Sequence, residues 1–503
     1  MKFIRQHIIP LLFIIVAYIL LLCHSDYLYA IEEESLFVPG NTFMREVMSE
    51  RGGLWAWIGC YLTQFFYYPW IGATFIVALW VIAYYCLTYL FGLKGWMRLL
   101  AILPECALLY LLLCLGYWIY YIKSSGFAFT PTLVLVYVSA LSLLANYLIK
   151  RFLRRHHWWQ PYLLMFFFFI TTRPILRIYS VTLPDSRFYS ELRMQRAIEE
   201  RRWDDVIKQH TQVASPTNLM VIYKNIALMH SGKLQDMFKT NNCGVKPASL
   251  TSLMPADTLE LHISRLAAPL VYFQYGQLNY AYQRGMSNIV KYGLSANDLK
   301  IMVRCAIMNQ ESDLAHKYLS LLMPTLFHRT WAIEQEQLMR SSTLLMQSDE
   351  FQNIAPLLTD EPNNLDSDYG MCEQWILSHF ADLLHPSNPK LEEVIITTSL
   401  WVKDEYAFDI HFYNYVNAHP NSSIPQLYQE AAIMLCTKES SPVTLDHFPF
   451  DQFIADRYNR FVNDYNQLSA QRLSDDEMAK RLHSVYGDTY WWYYYFYTDI
   501  NIY

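Results

Sequence analysis

The sequence predicts an all-α protein in two parts: an N-terminal transmembrane helix bundle of about five spans, then a soluble α-helical, tetratricopeptide-like repeat domain. Apolar residues form long runs before residue 178, and they recur with helical periodicity between charges after it. The sequence contains no alternating apolar–polar stretch of the kind that predicts β-strands. A compact domain rarely exceeds about 250–300 residues, so a chain of 503 residues needs at least two units. We assign residues 1–178 to the membrane part and 179–503 to the soluble part.

The membrane part contains five segments that approach the roughly 20 apolar residues of a spanning helix. These predicted spans are 8–23, 70–91, 99–122, 130–149 and 158–176. Lys2 and Arg5 precede the first, as in a signal peptide, but a poor cleavage site at Ala30 favours an uncleaved helix. The fifth is the weakest, because it spans only if its helix continues through Arg173 and Pro174.

Basic residues set the predicted orientation, because Lys and Arg collect on the cytoplasmic side. Residues 1–178 hold 13 Lys and Arg against 7 Asp and Glu. The basic residues cluster at the N-terminus, between spans two and three, and between spans four and five, whereas the first outer loop is acidic. We therefore expect a cytoplasmic N-terminus and a C-terminal domain outside the cytoplasm. If the fifth segment does not span, that domain lies inside.

The first outer loop, residues 35–68, is long and amphipathic. Its apolar residues recur at helical spacing up to Arg51, and Gly52 and Gly53 then interrupt the pattern. The aromatic-rich stretch from Leu54 to Tyr68 resembles a segment lying at the headgroup level.

The soluble part is acidic. It retains 26 Lys and Arg against 38 Asp and Glu, which argues against nucleic acid as a partner. The nine cysteines show no metal-ligand spacing. We interpret them as small buried apolar residues. The alternative is that some of them form a disulfide in an oxidising compartment.

Weak internal repeats follow the membrane part. Residues 197–208 align with 227–239, which places Trp203 opposite Leu234, and Ala281 and Ala315 recur 34 residues apart. A small residue where two helices cross, followed by a bulky apolar one, is typical of tetratricopeptide hairpins. An irregular helical array is the alternative.

The C-terminus is dense in aromatic residues, reading Tyr-Gly-Asp-Thr-Tyr-Trp-Trp-Tyr-Tyr from Tyr486. So much aromatic surface is not expected in contact with water. It packs into the last hairpins or, alternatively, docks on the membrane interface.

The apolar first third, the degenerate repeats and this ending together resemble an uncharacterised family of multi-spanning integral membrane proteins from Bacteroidota. The resemblance covers the whole chain and implies localisation and architecture, without an activity. It implies a multi-pass protein of the bacterial inner (cytoplasmic) membrane with a periplasmic C-terminal domain.

Acidic residues just after the first span are candidate catalytic groups. Asp26 and the run from Glu32 to Glu34 occupy the loop in which multi-spanning glycosyltransferases with lipid-linked donors place a catalytic carboxylate. Those enzymes have many more spans than this chain, which is a departure from their pattern. A solvated acidic loop that helps to set topology is the simpler interpretation.

Glu105, inside the third predicted span, is the remaining candidate. A carboxylate in a bilayer costs about 2.5–3.5 kcal/mol on insertion scales. Pairing with Arg98, or snorkelling to the nearby cytoplasmic end, is the structural interpretation, and a transport or proton-relay role is the functional one.

No nucleophile-elbow, zincin or phosphate-loop motif occurs in the sequence. We therefore predict no cofactor and no metal. The leading expectation is a non-enzymatic, membrane-anchored interaction protein, with the lipid bilayer and a protein or peptide as partners. The alternative is a glycosyltransferase-like membrane enzyme of envelope glycan metabolism that uses acidic residues of the first outer loop. A transporter comes third.

Overall fold

A computed structural model of the chain describes residues 2–49, 53–114, 128–153, 186–213, 216–239, 266–358, 388–420, 422–436 and 450–496. Within these ranges every regular element is a helix, which confirms the predicted all-α class. The first seven helices are α1 Lys2–Cys23, α2 Ser25–Glu33, α3 Asn41–Ser49, α4 Gly53–Thr63, α5 Pro69–Phe91, α6 Leu103–Cys114 and α7 Thr130–Leu153.

Sixteen further helices are described after residue 185. The next ten are α8 Ser186–Glu199, α9 Trp203–Gln212, α10 Asn218–His230, α11 Ala268–Gln274, α12 Leu278–Tyr292, α13 Ala296–Met308, α14 Ser312–Leu322, α15 Arg329–Arg340, α16 Ser342–Gln347 and α17 Asp349–Ile354. The last six are α18 Pro389–Val402, α19 Glu405–Ala418, α20 Gln426–Leu435, α21 Gln452–Ala470, α22 Asp475–Tyr486 and α23 Tyr490–Phe496.

The chain divides into two compact units, each built from two stretches of sequence. The first unit joins Met1–Arg193 to Tyr282–Leu344, and the second joins Met194–Ala281 to Leu345–Tyr503. The predicted boundary between residues 178 and 179 lies outside the described residues, so it stays a prediction.

Two described helices are long and apolar enough to cross a membrane: α5, and α7 from Thr130 to Leu148. They correspond to the second and fourth predicted spans. Helix α5 ends at Gly92, whose left-handed conformation (φ 61°) closes the helix. The two helices pack together, and the Trp80 indole Nε1 donates to Thr132 Oγ1 at 3.0 Å.

The first predicted span differs from its expected form. Helix α1 covers it, but after Cys23 the chain bends by 68° and continues as α2, and the two together form a third candidate span. The segment directly after residue 23, predicted as part of a loop between spans, is therefore helical. Helix α2 contains Asp26, Glu32 and Glu33. Three carboxylates in nine residues are costly in hydrocarbon, so the apolar part of this candidate span is α1.

The other two predicted spans are only partly testable. The predicted third span, 99–122, starts within a 3-10 helix, Gly95–Ile102, and continues as α6 to Cys114. Residues 115–127 and the whole fifth span, 158–176, lie outside the described residues. The described part therefore supports two or three spans, and not the five that were predicted.

The predicted outer loop, residues 35–68, is mostly helical where the structure describes it. It contains α3, α4 and a 3-10 helix, Gln64–Tyr67, which leads directly into α5. Gly53 adopts a positive φ (50°) at the predicted break. The Phe66 ring lies so close to Gly72 in α5 that a Cβ there would come within 2.2 Å of it. Glycine at position 72 is therefore required for this approach.

One turn geometry recurs between the later helices. Residues 201, 232, 276, 310 and 403 all have φ between 56° and 74° and directly follow a helix or its last turn. At each turn the following amide bonds the carbonyl five residues before it, as in Arg202 to Ala197 and Glu311 to Ala306. These are Schellman motifs. Turns 201 and 232 are 31 residues apart, and turns 276 and 310 are 34 apart, matching the spacings in the predicted repeats.

The repeats are irregular in detail. Val206 and its predicted counterpart Met237 are both buried, as are Ala281 and Ala315. However, the segment after the second turn is a 3-10 helix, Leu234–Asp236, and not an α-helix.

The aromatic C-terminal segment packs within the second unit, which confirms the simpler prediction. Tyr490 and Trp491 in α23 are fully buried. The Trp491 Nε1 donates to the Glu430 carbonyl at 2.7 Å, and the Tyr493 hydroxyl donates to the Trp401 carbonyl at 2.6 Å. The buried Trp491 N–H and the buried Tyr493 O–H therefore each donate to an acceptor.

Candidate functional site

The acidic run after α1 contacts residues that lie 261–296 positions further along the chain, all within the first unit. Each residue from 32 to 35 contacts α13 or the connection between α14 and α15. The contacts join Glu32 to His328, Glu33 to Lys300, Glu34 to Asn297, and the Ser35 carbonyl to the Ala296 amide. The expectation of a solvated acidic loop was wrong for Glu32 and Glu33, which are 2% and 5% exposed.

Glu33 is held by a buried ion pair. The Lys300 Nζ lies 2.5 Å from Glu33 Oε1, and the Tyr29 hydroxyl donates to the same oxygen at 2.7 Å. Burial alone would raise the pKa of Glu33, but Lys300 and His328 outweigh it and lower that pKa to about 2. Glu33 is therefore a carboxylate at neutral pH.

Glu32 has a weaker set of partners. Its Oε1 lies 2.9 Å from the Nε2 of His328, which is also buried. Burial raises the pKa of Glu32, and His328 offsets only part of that rise. The second oxygen of Glu32 and the Nδ1 of His328 are both buried without a hydrogen-bond partner.

Local structure positions Lys300 and His328, the partners of Glu33 and Glu32. Ser295 caps α13 by accepting the Asp298 amide at 3.1 Å and donating to the Asp298 carboxylate at 2.7 Å. This cap defines the first turn of the helix that carries Lys300. His328 precedes α15 directly, beside Phe327.

Aromatic rings hold the connection that carries His328. Phe327 stacks on Tyr67 with centroids 5.3 Å apart and planes 7° apart. Tyr67 also meets the His328 ring edge-on at 5.5 Å. Since Tyr67 belongs to the 3-10 helix just before α5, this contact ties the α14–α15 connection to the start of a candidate span.

The cluster has the composition of a metal site. Glu32, Glu33 and His328 each offer one ligand atom, and these atoms all lie within 4.8 Å of one another. Carboxylate oxygens and imidazole nitrogen suit divalent first-row ions. Lys300 is the competing cation, because it already pairs with Glu33.

The other two candidates from the sequence lie elsewhere. Asp26 pairs with Arg193 in α8, with the Arg193 Nε 3.0 Å from Asp26 Oδ2. Glu105 is buried in the first turn of α6, and neither of its carboxylate oxygens has a hydrogen-bond partner. The predicted pairing with Arg98 is therefore not formed as a hydrogen bond. Of the three candidates, only Glu32 belongs to the cluster.

Two members of the cluster were not predicted: Lys300 and His328. Neither lies in a recognisable motif. His328 follows Pro-Thr-Leu-Phe in a helix connection, and Lys300 is one basic residue in an amphipathic helix. Only the packing of α13 to α15 against α2 brings them to the glutamates.

Comparison with known proteins gives a family without an assigned function. Two matches to the model of a family of unknown function, DUF6057, cover residues 1–154 and 94–497. No curated protein and no solved structure matches the chain. Because the family matches extend over nearly all of the sequence, the protein belongs to the family of unknown function DUF6057.

Proposed function

We propose that the protein is a membrane-anchored interaction protein whose helical hairpins bind a protein or peptide partner in the periplasm. One observation carries the proposal: four consecutive residues, from Glu32 to Ser35, fasten α13 and the α14–α15 connection to the helix that follows α1. The hairpins of the first unit are therefore held against the membrane-associated helices, and not attached by a mobile linker.

The recurring Schellman turns support the tetratricopeptide-like part of this proposal. Helical hairpins stacked at regular intervals form extended surfaces that suit peptide and protein recognition. The described helices also expose large apolar residues away from the candidate spans, including Val290 on α12 and Tyr406 on α19. Such residues mark positions at which a partner would gain apolar contacts.

Charge asymmetry supports the proposed topology. The predicted cytoplasmic loops are basic and the first outer loop is acidic. Together with the resemblance to Bacteroidota membrane proteins, this asymmetry favours the bacterial inner membrane, with the hairpins in the periplasm. Alkaline phosphatase fused after Tyr503 should be active in cells. Fluorescence of a cytoplasm-specific reporter at the same position, with an inactive phosphatase fusion, would reverse the topology.

Photocrosslinking tests the interaction directly. A photoreactive amino acid at Val290 or Tyr406 should give a discrete protein adduct in intact cells. Leu12 is the matched control, because it is exposed on the apolar helix α1 and should contact lipid. The proposal is wrong if neither hairpin position gives a protein adduct above the level seen at Leu12.

The second candidate function is a membrane enzyme of envelope glycan metabolism. It is favoured by the convergence of Glu32 and Glu33 with His328 and Lys300, because such groups can hold a metal or transfer protons. Against it, both glutamates are almost fully buried. A Glu32→Gln protein that folds normally but changes envelope glycan composition would favour the enzyme over the interaction protein.

A further inference from the structure

The buried cluster at the C-terminal end of α2 contains more carboxylates than permanent cations. Glu32 and Glu33 contribute two carboxylates, whereas Lys300 is the one permanently charged cation hydrogen-bonded to either of them in the described structure. Lys300 is hydrogen-bonded to Glu33, whereas the hydrogen-bond partner of Glu32 in the described structure is the His328 imidazole. A buried carboxylate without a compensating charge is costly. A proton, held on Glu32 or on His328, or a bound cation must therefore accompany the Glu32–His328 pair.

The donor atoms are close enough for one ion. The three ligand atoms from Glu32, Glu33 and His328 lie within 4.8 Å of one another. Bonds from zinc to nitrogen or oxygen are about 2.0–2.2 Å, which places two ligands of one ion roughly 3–4 Å apart. The upper limit of 4.8 Å is therefore within about 1 Å of the separation that one ion requires.

Buried polar atoms without hydrogen-bond partners are a second, independent indication of a bound ion. Glu32 Oε2 is buried and accepts no hydrogen bond, and His328 Nδ1 is also buried and unpartnered. Buried polar atoms are normally satisfied. A bound ion would contact the carboxylate oxygen of Glu32 that His328 leaves without a partner. Lys300 would stay paired with Glu33 Oε1, and the other oxygen of Glu33 would bind the ion.

We propose that Glu32, Glu33 and His328 bind a divalent first-row transition ion, with Zn²⁺ as the ion of choice. One nitrogen and two oxygens with no cysteine form a donor set that zinc and manganese accept, and three protein ligands leave a fourth position for water. The ion joins α2 to the α14–α15 connection. It therefore holds the hairpins of the first unit on the helix that follows α1, and it stabilises the folded chain by binding it in preference to the unfolded one.

Metal analysis of the full-length chain in detergent tests the site. After chelation and equilibrium dialysis against Zn²⁺, the wild type should retain one ion per chain. Glu32→Gln and His328→Gln should each weaken Zn²⁺ binding by at least about tenfold. Parallel dialysis against Mn²⁺ and Mg²⁺ should give weaker binding, following the order of affinities for nitrogen-containing sites. Tighter binding of Mg²⁺ than of Zn²⁺ would contradict the assignment.

The matched control is His419→Gln. His419 Nε2 lies 3.0 Å from Glu392 Oε2, which reproduces the His328–Glu32 contact. That pair belongs to no three-ligand group in the described part of the chain. His419→Gln should therefore keep the full zinc content. Loss of zinc in this variant to the same extent as in His328→Gln would overturn the proposal.

A spectroscopic measurement on the wild type covers the case in which the variants do not fold. X-ray absorption at the zinc edge should show only nitrogen and oxygen ligands, including one imidazole. Sulfur in the coordination shell would place the zinc elsewhere, and no zinc above the buffer level would show that Glu32 is accompanied by a proton. Either result would refute the site.

Discussion

His328 Nε2 and Glu32 Oε1 lie 2.9 Å apart, although 296 positions separate the two residues in the sequence. The adjacent Lys300–Glu33 pair is 267 positions apart in sequence, and its side chains are 13% and 7% exposed. Together the two pairs link α2 to the hairpins of the first unit. Their energetics can be measured separately from any function.

The Glu33–Lys300 pair should show strong coupling. Glu33→Gln or Lys300→Met alone leaves a buried charge without its partner and should lower the free energy of unfolding by about 3–5 kcal/mol. The double variant should lose clearly less than the sum of the single changes. Equilibrium unfolding of the full-length chain in mixed micelles measures the cycle.

The exposed Arg202–Glu200 pair provides the control for that cycle. Its two side chains are both largely solvated, so removing either should change stability by only about 0–1 kcal/mol. Additive effects at Glu33 and Lys300 would show that the buried pair does not act as a unit.

Phe327→Ala should loosen the contact between the α14–α15 connection and the start of α5. The ring is half-buried and stacks on Tyr67, so we expect a loss of about 1–3 kcal/mol, less than for a fully buried ring. Limited proteolysis near residue 327 should become faster. Leu326→Ala is the control, because Leu326 is exposed and adjacent. Equal effects of the two substitutions would argue against a specific role of the stacked pair.

Trp491→Ala should strongly destabilise the second unit. The side chain is fully buried and its Nε1 donates to the Glu430 carbonyl, so the expected loss is about 3–5 kcal/mol. Phe453→Ala, at an exposed aromatic of α21, should change stability by less than about 0.5 kcal/mol. Thermal unfolding followed by tryptophan fluorescence compares them, and a neutral Trp491→Ala would show that α23 is not part of the core.

The Schellman turns predict opposite effects of glycine at two positions. Gln310 adopts φ 61°, a conformation that costs a residue with a side chain about 1–2 kcal/mol. Gln310→Gly should therefore stabilise the chain by up to about 1 kcal/mol. Gly276→Ala should destabilise it, because φ is 74° there and a Cβ would lie 2.8 Å from Leu357 Cβ. Thermal unfolding midpoints that shift in the same direction would contradict this account of the turns.

Acid should weaken the second unit through His230. Burial and the nearby Lys390 lower the pKa of His230 to about 3, and the Lys390 Nζ lies 3.0 Å from its Nδ1. The unfolded chain, with a histidine pKa near 6.5, binds a proton that the folded chain excludes. Stability is therefore fully present above pH 6.5 and is lost progressively as pH falls towards 3.

His230→Asn tests this linkage, because the amide oxygen can still accept from Lys390 but does not titrate. The variant should lose less stability between pH 7 and pH 5 than the wild type does, as measured by unfolding at each pH. His210 provides a second contribution of the same sign, since burial lowers its pKa to about 3 as well. An unchanged pH dependence in His230→Asn would assign the acid sensitivity to other groups.

The sequence predicted local features well. Long apolar runs identified α5 and α7, because an uninterrupted run of about 20 apolar residues is itself the requirement for crossing a bilayer. Gly232, Gly276 and the Asn309–Gln310 segment were predicted as turns and are turns in the structure, since a turn depends mainly on the residues within it. The aromatic content of the tail anticipated its burial.

What the sequence by itself determined is therefore the helical class, two of the candidate spans and some of the turns between hairpins, all of which arise from residues within one continuous segment of the chain. Only the tertiary structure decided that Glu32 and Glu33 are buried, and that Lys300 and His328 are their partners. The physical reason is that the sequence around a carboxylate after an apolar helix is the same whether the carboxylate lies in solvent or in a buried ion pair. Its environment depends on which distant helix packs against it, and no local pattern records that choice.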